Sequence, residues 1–383
     1  MKKIIFIFTS ILFAASSCSD GSSNSSNNNG AQNNPSQNEQ QETTNPEQPG
    51  STEPETPHTN PEQPASIRIE DIVYETQDIP CDNYRKAMRD FVINISQTAR
   101  KINPSFIVIP QNGQNVAWDD DDNPKPKADF FAAIKGCGRE DAFYGMDENY
   151  DIADGKATPK NLSDEIQELC DVYVQNGLTV LSTDYTKDDK TIIEDSFSKN
   201  KSKGYISFAA TSRNLDVIPQ YEPYGKNSSD IKKLSDAKNF LYLINPDFSS
   251  KDEFINNVSQ TDYDIVLIDL FYNEKELSSS DIQKLKTKKN GGKRLVICYM
   301  SIGEAEDYRW YWKDSWKTNA PLFMCEVNQD WEGNYKVKYW FPSWQSIICN
   351  ASDSYLSKIV NAGFDGVYLD IIDAFEYFEE QSK

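Results

Sequence analysis

Histidine is nearly absent from this chain. Its 383 residues include a single histidine, His58, and this residue lies in a polar segment that we do not expect to fold. A folded region without histidine cannot form a Ser-His-Asp or Cys-His catalytic site, and it cannot bind zinc through imidazole. Carboxylates are therefore the obvious acid–base groups for any catalysis.

Other features of common sites are missing too. No glycine-rich phosphate loop is visible, and none of the seven cysteines stands in a CxxC pair. Export would permit disulfides, and Cys325 with Cys349 is one possible pair, while buried free thiols are the equal alternative. The 60 acidic residues outnumber the 39 basic ones, which argues against nucleic acid as a partner because phosphates attract basic surfaces.

The apolar run from Ile4 to Ala15 is too short to span a bilayer. Two lysines precede it, and Ser-Ser-Cys18 follows, which is the order of a secretory signal. We expect residues 1–17 to be a lipoprotein signal peptide, with lipidation at Cys18 as the only membrane contact. A plain signal peptide with an incidental cysteine is the alternative. The expected location is the bacterial cell envelope or cell surface, as an exported lipoprotein.

Residues 18–65 contain no aromatic residue, no Lys and no Arg. Such a segment cannot bury enough apolar area to offset the entropy of ordering it, so we expect a disordered stalk. Residues 66–383 are then the folded region, long enough for one large α/β domain or two small ones.

Short β-branched or aromatic runs alternate along this region with amphipathic, helix-like stretches, as in βα units around a parallel sheet. The predicted strands are 106–110, 130–135, 178–183, 204–209, 240–245, 264–269, 294–300 and 365–370. Predicted helices include 84–102, 162–175, 279–288 and 352–362. Eight parallel strands favour a closed (β/α)8 TIM barrel, and catalytic groups of such barrels lie at the carboxyl ends of the strands. Polar residues follow nearly every predicted strand, although a single one often only caps the next helix.

Several of these segments resemble the endo-α-1,4-polygalactosaminidase family, glycoside hydrolase family 114. Its first half resembles RLVICYMSIGEAEDYRWYW (294–312), YKVKYWFPSWQ (335–345) and GFDGVYLDIIDAFEYF (363–378). Its second half resembles MRDFVINISQTARKINPSFIVIPQNG (88–113), IKGCGREDAFYG (134–145) and LTVLSTDYT (178–186). The halves stand in reverse order, which indicates a circularly permuted barrel.

Residues 225–238 would join the ancestral ends in such a permutation, because they begin with Gly-Lys-Asn-Ser-Ser and continue as a polar stretch. The alternative is that the first half forms a separate domain. Each piece would then have only four strands and two open edges.

The resemblance implies that Asp370 is the nucleophile and Glu140 the general acid/base of a retaining, endo-acting enzyme on α-linked amino-sugar polysaccharide. Their carboxyls should then lie roughly 5 to 6 Å apart. The alternatives are that Asp370 caps a helix or pairs with Arg309, and that Arg139 or Asp141 pairs with Glu140 or replaces it. We expect no metal and no other cofactor.

Sugar-binding roles are expected for other polar and aromatic residues near the strand ends. Carboxylates and guanidinium groups can bind hydroxyls or a protonated amino group, and aromatic faces can stack on pyranose rings or attract cations. The expected sugar-binding residues are Asp269, Glu304, Glu306, Arg309, Tyr299, Trp312, Trp344, Gln111, Asn112, Asp184, Tyr185 and Asp247. Core packing is an equal alternative for any tryptophan. Two other functions stay open: an inactive carbohydrate-binding surface lipoprotein, and an adhesion or scaffold protein.

Overall fold

Two parallel sheets form the centre of the fold in the computed structural model, which describes residues 67–382. Their strands are β1 Ile107–Pro110, β2 Gly136–Glu140, β3 Thr179–Tyr185, β4 Ile206–Ala210, β5 Phe240–Leu243, β6 Ile265–Ile268, β7 Leu295–Ser301 and β8 Gly366–Asp370. One sheet has the order β1-β8-β7-β6-β5, and the other has the order β2-β3-β4. The predicted α/β class with parallel sheets is confirmed. The predicted signal peptide, Cys18, His58 and the stalk lie outside the described residues.

The two sheets adjoin through β1 and β2. The backbone N–H of Asn112 donates to the carbonyl of Gly138 at 2.9 Å, and the N–H of Lys135 donates to the carbonyl of Val108 at 3.0 Å. At the other edges, the rings of Phe208 in β4 and Phe240 in β5 lie 5.6 Å apart. Only β1 separates β8 from β2, so the carboxyl ends of β8 and β2 are near each other.

Helices follow most of the strands. Their bounds are α1 Tyr84–Ile102, α2 Ala128–Ala133, α3 Lys160–Gln175, α4 Lys190–Lys203, α5 Lys251–Ser259, α6 Ser279–Leu285, α7 Pro342–Gln345, α8 Tyr355–Ala362 and α9 Ala374–Gln381. Helix α1 shows why the sequence pattern works, because Met88, Phe91, Ile95 and Ala99 recur at helical spacing and are all buried. The Asn83 side chain caps its first turn by accepting from the backbone N–H of Lys86 at 2.8 Å.

One predicted strand is wrong. Residues 130–135 end helix α2 and begin a loop, and the strand is β2, with the sequence GCGRE. A Cβ at Gly136 would lie 2.3 Å from the carbonyl oxygen of Thr179, and one at Gly138 would lie 1.8 Å from the hydroxyl of Tyr368. These contacts require glycine, which has no strand propensity. Tertiary packing therefore selected a strand that the local pattern could not indicate.

Small antiparallel sheets extend from the carboxyl ends of the parallel strands. One sheet joins the strands Glu304–Glu306, Asn334–Val337 and Met324–Val327 in that order, and two hairpins pair the remaining short strands. These hairpins are Tyr144–Met146 with Ile152–Ala157, and Phe271–Tyr272 with Lys275–Glu276. The three small sheets follow β7, β2 and β6 along the chain. They therefore surround the carboxyl ends of the parallel strands, where the polar site residues were expected.

Asp264, at the start of β6, anchors the segment 225–238 that links β4 to β5. Its fully buried carboxylate accepts from Nδ2 of Asn227 at 2.9 Å and from the backbone N–H of Lys238 at 2.8 Å. The ammonium group of Lys288, also fully buried, lies 2.8 Å from the same carboxylate. The link between the two halves of the chain is therefore fastened to the sheet.

All six cysteines among the described residues are free thiols. Cys349 is buried and lies 3.4 Å from Nδ2 of Asn94, so the possible Cys325–Cys349 disulfide is not formed. No helix between residues 67 and 382 combines the length and hydropathy needed to cross a membrane.

Candidate active site

A cavity of about 1100 Å³ opens at the carboxyl ends of the strands. It brings together eleven of the predicted site residues, which come from both halves of the chain. They are Gln111, Asn112, Glu140, Tyr185, Asp269, Tyr299, Glu304, Glu306, Arg309, Trp312 and Asp370. Residues more than 200 positions apart along the chain thus face one space.

Glu140, the last residue of β2, is held by three side chains. Nε2 of Gln111 and Nδ2 of Asn112 donate to Oε2 at 2.7 and 2.9 Å, and the hydroxyl of Tyr185 donates to Oε1. The hydroxyl of Tyr242 in turn donates to Oε1 of Gln111 at 2.8 Å. Gln111, Asn112 and Tyr185 were expected to bind sugar, but their observed contacts orient the carboxylate of Glu140.

Asp370, the last residue of β8, is held from two sides. The hydroxyl of Tyr299 donates to Oδ2 at 2.6 Å, and the backbone N–H of Ile371 donates to Oδ1 at 2.9 Å. Ile371 has a φ of +60°, a conformation that is strained for a β-branched residue. This turn directs the backbone N–H toward the carboxylate, so strain is stored next to the candidate nucleophile.

The environment of Asp370 favours its protonated form. Burial is the main reason that the pKa of Asp370 rises from 3.8 to about 8, and the negative charge of Glu140 raises it further. The hydrogen bond from Tyr299 opposes this shift. The raised pKa of Asp370 therefore makes the pH dependence of any activity a test of its role.

The alternative pairings of these two carboxylates are not formed. The two oxygens of Asp269 bind the guanidinium group of Arg309, so Arg309 does not pair with Asp370. The residue before helix α9 is Asp373, so Asp370 is not its N-cap. The carboxylate of Asp141 binds Arg213 at 2.7 Å, and the guanidinium group of Arg139 donates to the backbone carbonyl of Glu140 rather than to its carboxylate.

Arg213 was not predicted as a site residue, yet it supports Glu140 indirectly. Its guanidinium carbon lies 3.6 Å from the centroid of the Tyr185 ring, and Tyr185 donates to Glu140. Arg213 itself is fixed by Asp141 at 2.7 Å and Asp154 at 2.6 Å. Arg213 follows strand β4, but no local pattern in the sequence indicates its stacking on Tyr185.

Asp373 and Glu376 also line the cavity, and sequence reasoning missed them. Burial raises the pKa of Asp373 to about 6 and that of Glu376 to about 8, with the charge of Asp373 adding to the latter. The spacing of Asp370, Asp373 and Glu376 was an available signal, because residues three apart in a helix or turn share one face.

Three predicted sugar-binding residues do not line the cavity. Asp184 is fully buried and accepts from the backbone N–H of Phe143 at 2.8 Å and from the hydroxyl of Ser196 at 2.6 Å. It points away from Tyr185 because neighbouring strand residues face opposite sides. Trp344 is fully buried and donates to the carbonyl of Ile302 at 2.9 Å. Asp247 is exposed and lies outside the cavity lining.

Asp269, Glu306 and Arg309 form a buried ionic cluster in the cavity wall. Arg309 lies 2.8 Å from Oδ2 of Asp269 and 2.7 Å from Oε2 of Glu306, and each of the three residues is at most 9% exposed. Glu306 also accepts from the hydroxyl of Tyr308 at 2.6 Å. Their polar groups already satisfy one another, so this cluster stabilises the wall.

Replacement of Arg309 by methionine should lower the free energy of unfolding by about 3 to 5 kcal/mol, because two buried carboxylates lose their counter-charge. Equilibrium urea denaturation measures this change. Lys317→Met is the matched control, since Lys317 pairs with Asp307 at 3.2 Å on the surface, where an ion pair contributes little to stability. Equal losses for both variants would contradict the assignment of a buried cluster.

No group of three or more His, Cys, Asp or Glu side chains between residues 67 and 382 is arranged to hold a metal ion.

Comparison with known proteins identifies a matching family and three similar proteins. Residues 224–383 match the model of Glycoside-hydrolase family GH114, a TIM-barrel family. A stretch of 192 residues is 35% identical to an uncharacterized protein of Methanocaldococcus jannaschii and covers 50% of this chain and 48% of that protein. An uncharacterized protein of Thermotoga maritima is 39% identical over 124 residues, and one of Deinococcus radiodurans is 35% identical over 122 residues. Each of these two matches covers 32% of this chain and 37% of the relative.

The matched stretch covers about half or less of the length of these relatives. The family match includes strands β5 to β8 and Asp370, whereas Glu140 precedes it. The candidate site therefore combines a residue inside the matched region with one outside it.

Proposed function

We propose that this protein is a retaining glycoside hydrolase that cleaves internal bonds of α-linked amino-sugar polysaccharides. Its residues 224–383 match the model of Glycoside-hydrolase family GH114. One observation carries this proposal. Asp370 and Glu140 end strands β8 and β2, line the same cavity, and interact strongly enough for the charge of Glu140 to raise the pKa of Asp370. Retaining glycoside cleavage needs such a pair of carboxyls, and the proposed reaction starts from the form in which Asp370 is ionised and Glu140 carries the proton.

In the proposed reaction, Asp370 attacks the anomeric carbon while Glu140 donates its proton to the departing glycosidic oxygen. The products of this step are the released sugar alcohol and a glycosyl ester on Asp370. Glu140, now ionised, takes a proton from water, and that water hydrolyses the ester with retention of configuration. Tyr299 orients Asp370 for the attack, and Gln111, Asn112 and Tyr185 orient Glu140.

An amino-sugar substrate is supported by charge. The chain has a net charge of −21, and Asp314 and Asp330 line the cavity. A protonated amino group would be attracted to such a site. The test is incubation of the purified protein with partly deacetylated galactosaminogalactan and with neutral polysaccharides, followed by mass analysis of the products. We expect amino-sugar oligosaccharides; release from neutral polysaccharides alone would overturn the substrate assignment.

The pH dependence tests the role of Asp370. A nucleophile must be ionised, and the pKa of Asp370 in the free protein is about 8, so kcat/KM should rise as the pH increases through about 8. A bound ammonium group would lower this pKa, so the same limb of the kcat profile should lie at lower pH. Initial rates between about pH 5 and pH 10 measure both profiles. A loss of kcat/KM above about pH 8 would instead make Asp370 the acid.

A closed and circularly permuted (β/α)8 barrel is part of the proposal. The contacts between β1 and β2 and between β4 and β5 support closure. Support for the permutation comes from the contact between α9 and α1, two helices that would be joined directly in the order of the family. The hydroxyl of Ser382 donates to that of Tyr84 at 3.1 Å, and Arg85 lies 2.9 Å from Glu379, so the end of α9 adjoins the start of α1. In this proposal the anchored segment 225–238 joins the ancestral ends of the barrel.

Export as a lipoprotein, with Cys18 acylated and residues 18–65 as a stalk at the cell surface, rests on the order of charged, apolar and small residues at the N-terminus. Fatty-acid labelling of cells that produce the protein, compared with a Cys18→Ser variant, tests this part. Label that persists in the variant would rule out Cys18 as the anchor.

A further inference from the structure

Two aromatic side chains at the cavity are far more exposed than aromatic residues usually are. Tyr308 is 58% exposed and Trp331 is 52% exposed, and both belong to the cavity lining. Most other large apolar side chains of the described residues are buried in the core. Exposed aromatic faces next to a binding cavity are typical of recognition surfaces, because they offer large apolar area on rigid side chains.

The loop that carries Trp331 is fixed in place. Glu304, 2% exposed, accepts from Nδ2 of Asn328 at 2.8 Å and from Nδ2 of Asn334 at 3.0 Å. The backbone N–H of Asn334 also donates to the carbonyl of Trp331 at 3.1 Å. Both ends of the loop are thus tied to one buried carboxylate. Glu304 was expected to bind sugar, but its oxygens are occupied in holding this loop.

Tyr308 is held against the same loop. Its hydroxyl donates to Glu306 at 2.6 Å. A Cβ at Gly333 would lie 2.8 Å from Oδ1 of Asp307, so glycine allows the loop to approach the residue next to Tyr308. The backbone N–H of Asp307 donates to the carbonyl of Gly333 at 2.8 Å. Tyr308 and Trp331 are therefore presented on two segments that are bonded to each other.

We propose that Tyr308 and Trp331 form an outer subsite, which binds the part of the polysaccharide chain that extends beyond the bond being cleaved. This inference rests on the proposed function. Pyranose rings present C–H faces that pack on aromatic rings, and amino-sugar units add a cation that aromatic faces attract. Asp314 and Asp330 line the cavity as well and add negative charge. The occupant is thus a sugar chain, cationic where its amino groups are free.

The size of the cavity agrees with a long substrate. Its volume of about 1100 Å³ exceeds the roughly 300 to 1000 Å³ of ordinary small-molecule pockets. Continuity is the main argument, because Tyr308 and Trp331 line the same cavity as Asp370 and Glu140. A chain seated on both regions at once would be cleaved at an internal bond.

The test measures binding of α-1,4-linked galactosamine oligosaccharides of two lengths, a trimer and a decamer, by isothermal titration calorimetry. The full-length chain carries Asp370→Asn, so that no hydrolysis occurs during the titration. Trp331→Ala should weaken binding of the decamer about tenfold, a loss of about 1.4 kcal/mol, and should leave the trimer unchanged. Trp331→Phe keeps an aromatic face and should restore most of the decamer affinity. Leu322→Ala is the control, since Leu322 is 39% exposed and lies outside the cavity lining.

An unchanged decamer affinity in Trp331→Ala would overturn the subsite. Equal weakening of the trimer and decamer affinities would overturn it too, and so would the absence of binding of either oligosaccharide before the substitution. Sedimentation measures the oligomeric state of the same two chains. If the chain is a dimer and Trp331→Ala makes it a monomer, the rings form a contact between copies, and the subsite is also overturned. Failure of the proposed function gives a different result. In that case the chain with Asp370 intact binds the decamer but releases no product.

Discussion

Asp370→Asn should lower kcat/KM by about 10⁴-fold or more, because the amide cannot form the glycosyl ester on which the proposed reaction depends. Asparagine keeps the size of the side chain, and its amide oxygen can still accept the hydrogen bond from the hydroxyl of Tyr299. Product release from partly deacetylated galactosaminogalactan, followed by mass spectrometry, measures the loss. Binding of the same polymer should persist, which separates catalysis from recognition.

Asp373→Asn is the matched control for Asp370→Asn. Asp373 lines the same cavity, and burial raises its pKa to about 6, but the proposed reaction gives it no bond to form or break. We expect it to retain kcat/KM within about tenfold of the unmodified protein. If both variants lose activity equally, the position of Asp370 at the end of β8 does not identify it as the nucleophile.

The inactive Asp370→Asn variant should also gain stability relative to the unmodified protein as the pH rises. The pKa of Asp370 is 3.8 in a solvated chain and about 8 in the fold, so its contribution to stability is fully present below about pH 4 and is lost as the pH rises through about 8. Asparagine does not ionise and avoids this loss. Thermal unfolding at several pH values should show a gap in favour of the variant that widens from about pH 4 to pH 8.

Glu140→Gln is the second change with a large expected effect, a fall of about 10³-fold in kcat/KM on natural glycosidic bonds. The fold should tolerate it, because the amide oxygen can accept from Gln111 and Asn112 and the hydroxyl of Tyr185 can accept from the amide nitrogen. Without an acid the sugar oxygen leaves as an alkoxide, which raises the barrier.

The leaving group distinguishes acid catalysis from a structural role of Glu140. A substrate with a good leaving group, such as a nitrophenyl glycoside, needs little protonation, so glycosylation by Glu140→Gln should be nearly as fast as in the unmodified protein. A burst of nitrophenol followed by slow turnover is the expected signature, since Glu140 is also the base that activates water. An equal loss on both kinds of substrate would argue that the variant merely distorts the cavity.

Several predicted elements could be read from local pattern alone. Helix α1 was predicted at 84–102 and is observed there, because its apolar spacing is unambiguous. Strand β2 could not be read in this way, since Gly136 and Gly138 are selected by Thr179 and Tyr368, which come from distant parts of the chain. The same limit applies to aromatic residues. Trp312 faces the cavity while Trp344 is buried, and the sequence treats both as tryptophans near a strand end.

The amino-acid sequence by itself determined the near absence of histidine, the acidic charge, the alternation of strands and helices, and the position of Asp370 at the end of a predicted strand. These properties depend on residue type and short-range periodicity, which are local. Tertiary structure alone decided that the carboxylates of Asp370 and Glu140 share a cavity and that Arg309 pairs with Asp269 and Glu306. It also decided that Asp184 faces away from the cavity. Those outcomes depend on which side chains meet across the sheets, and contacts between residues far apart in the chain leave no periodic trace in it.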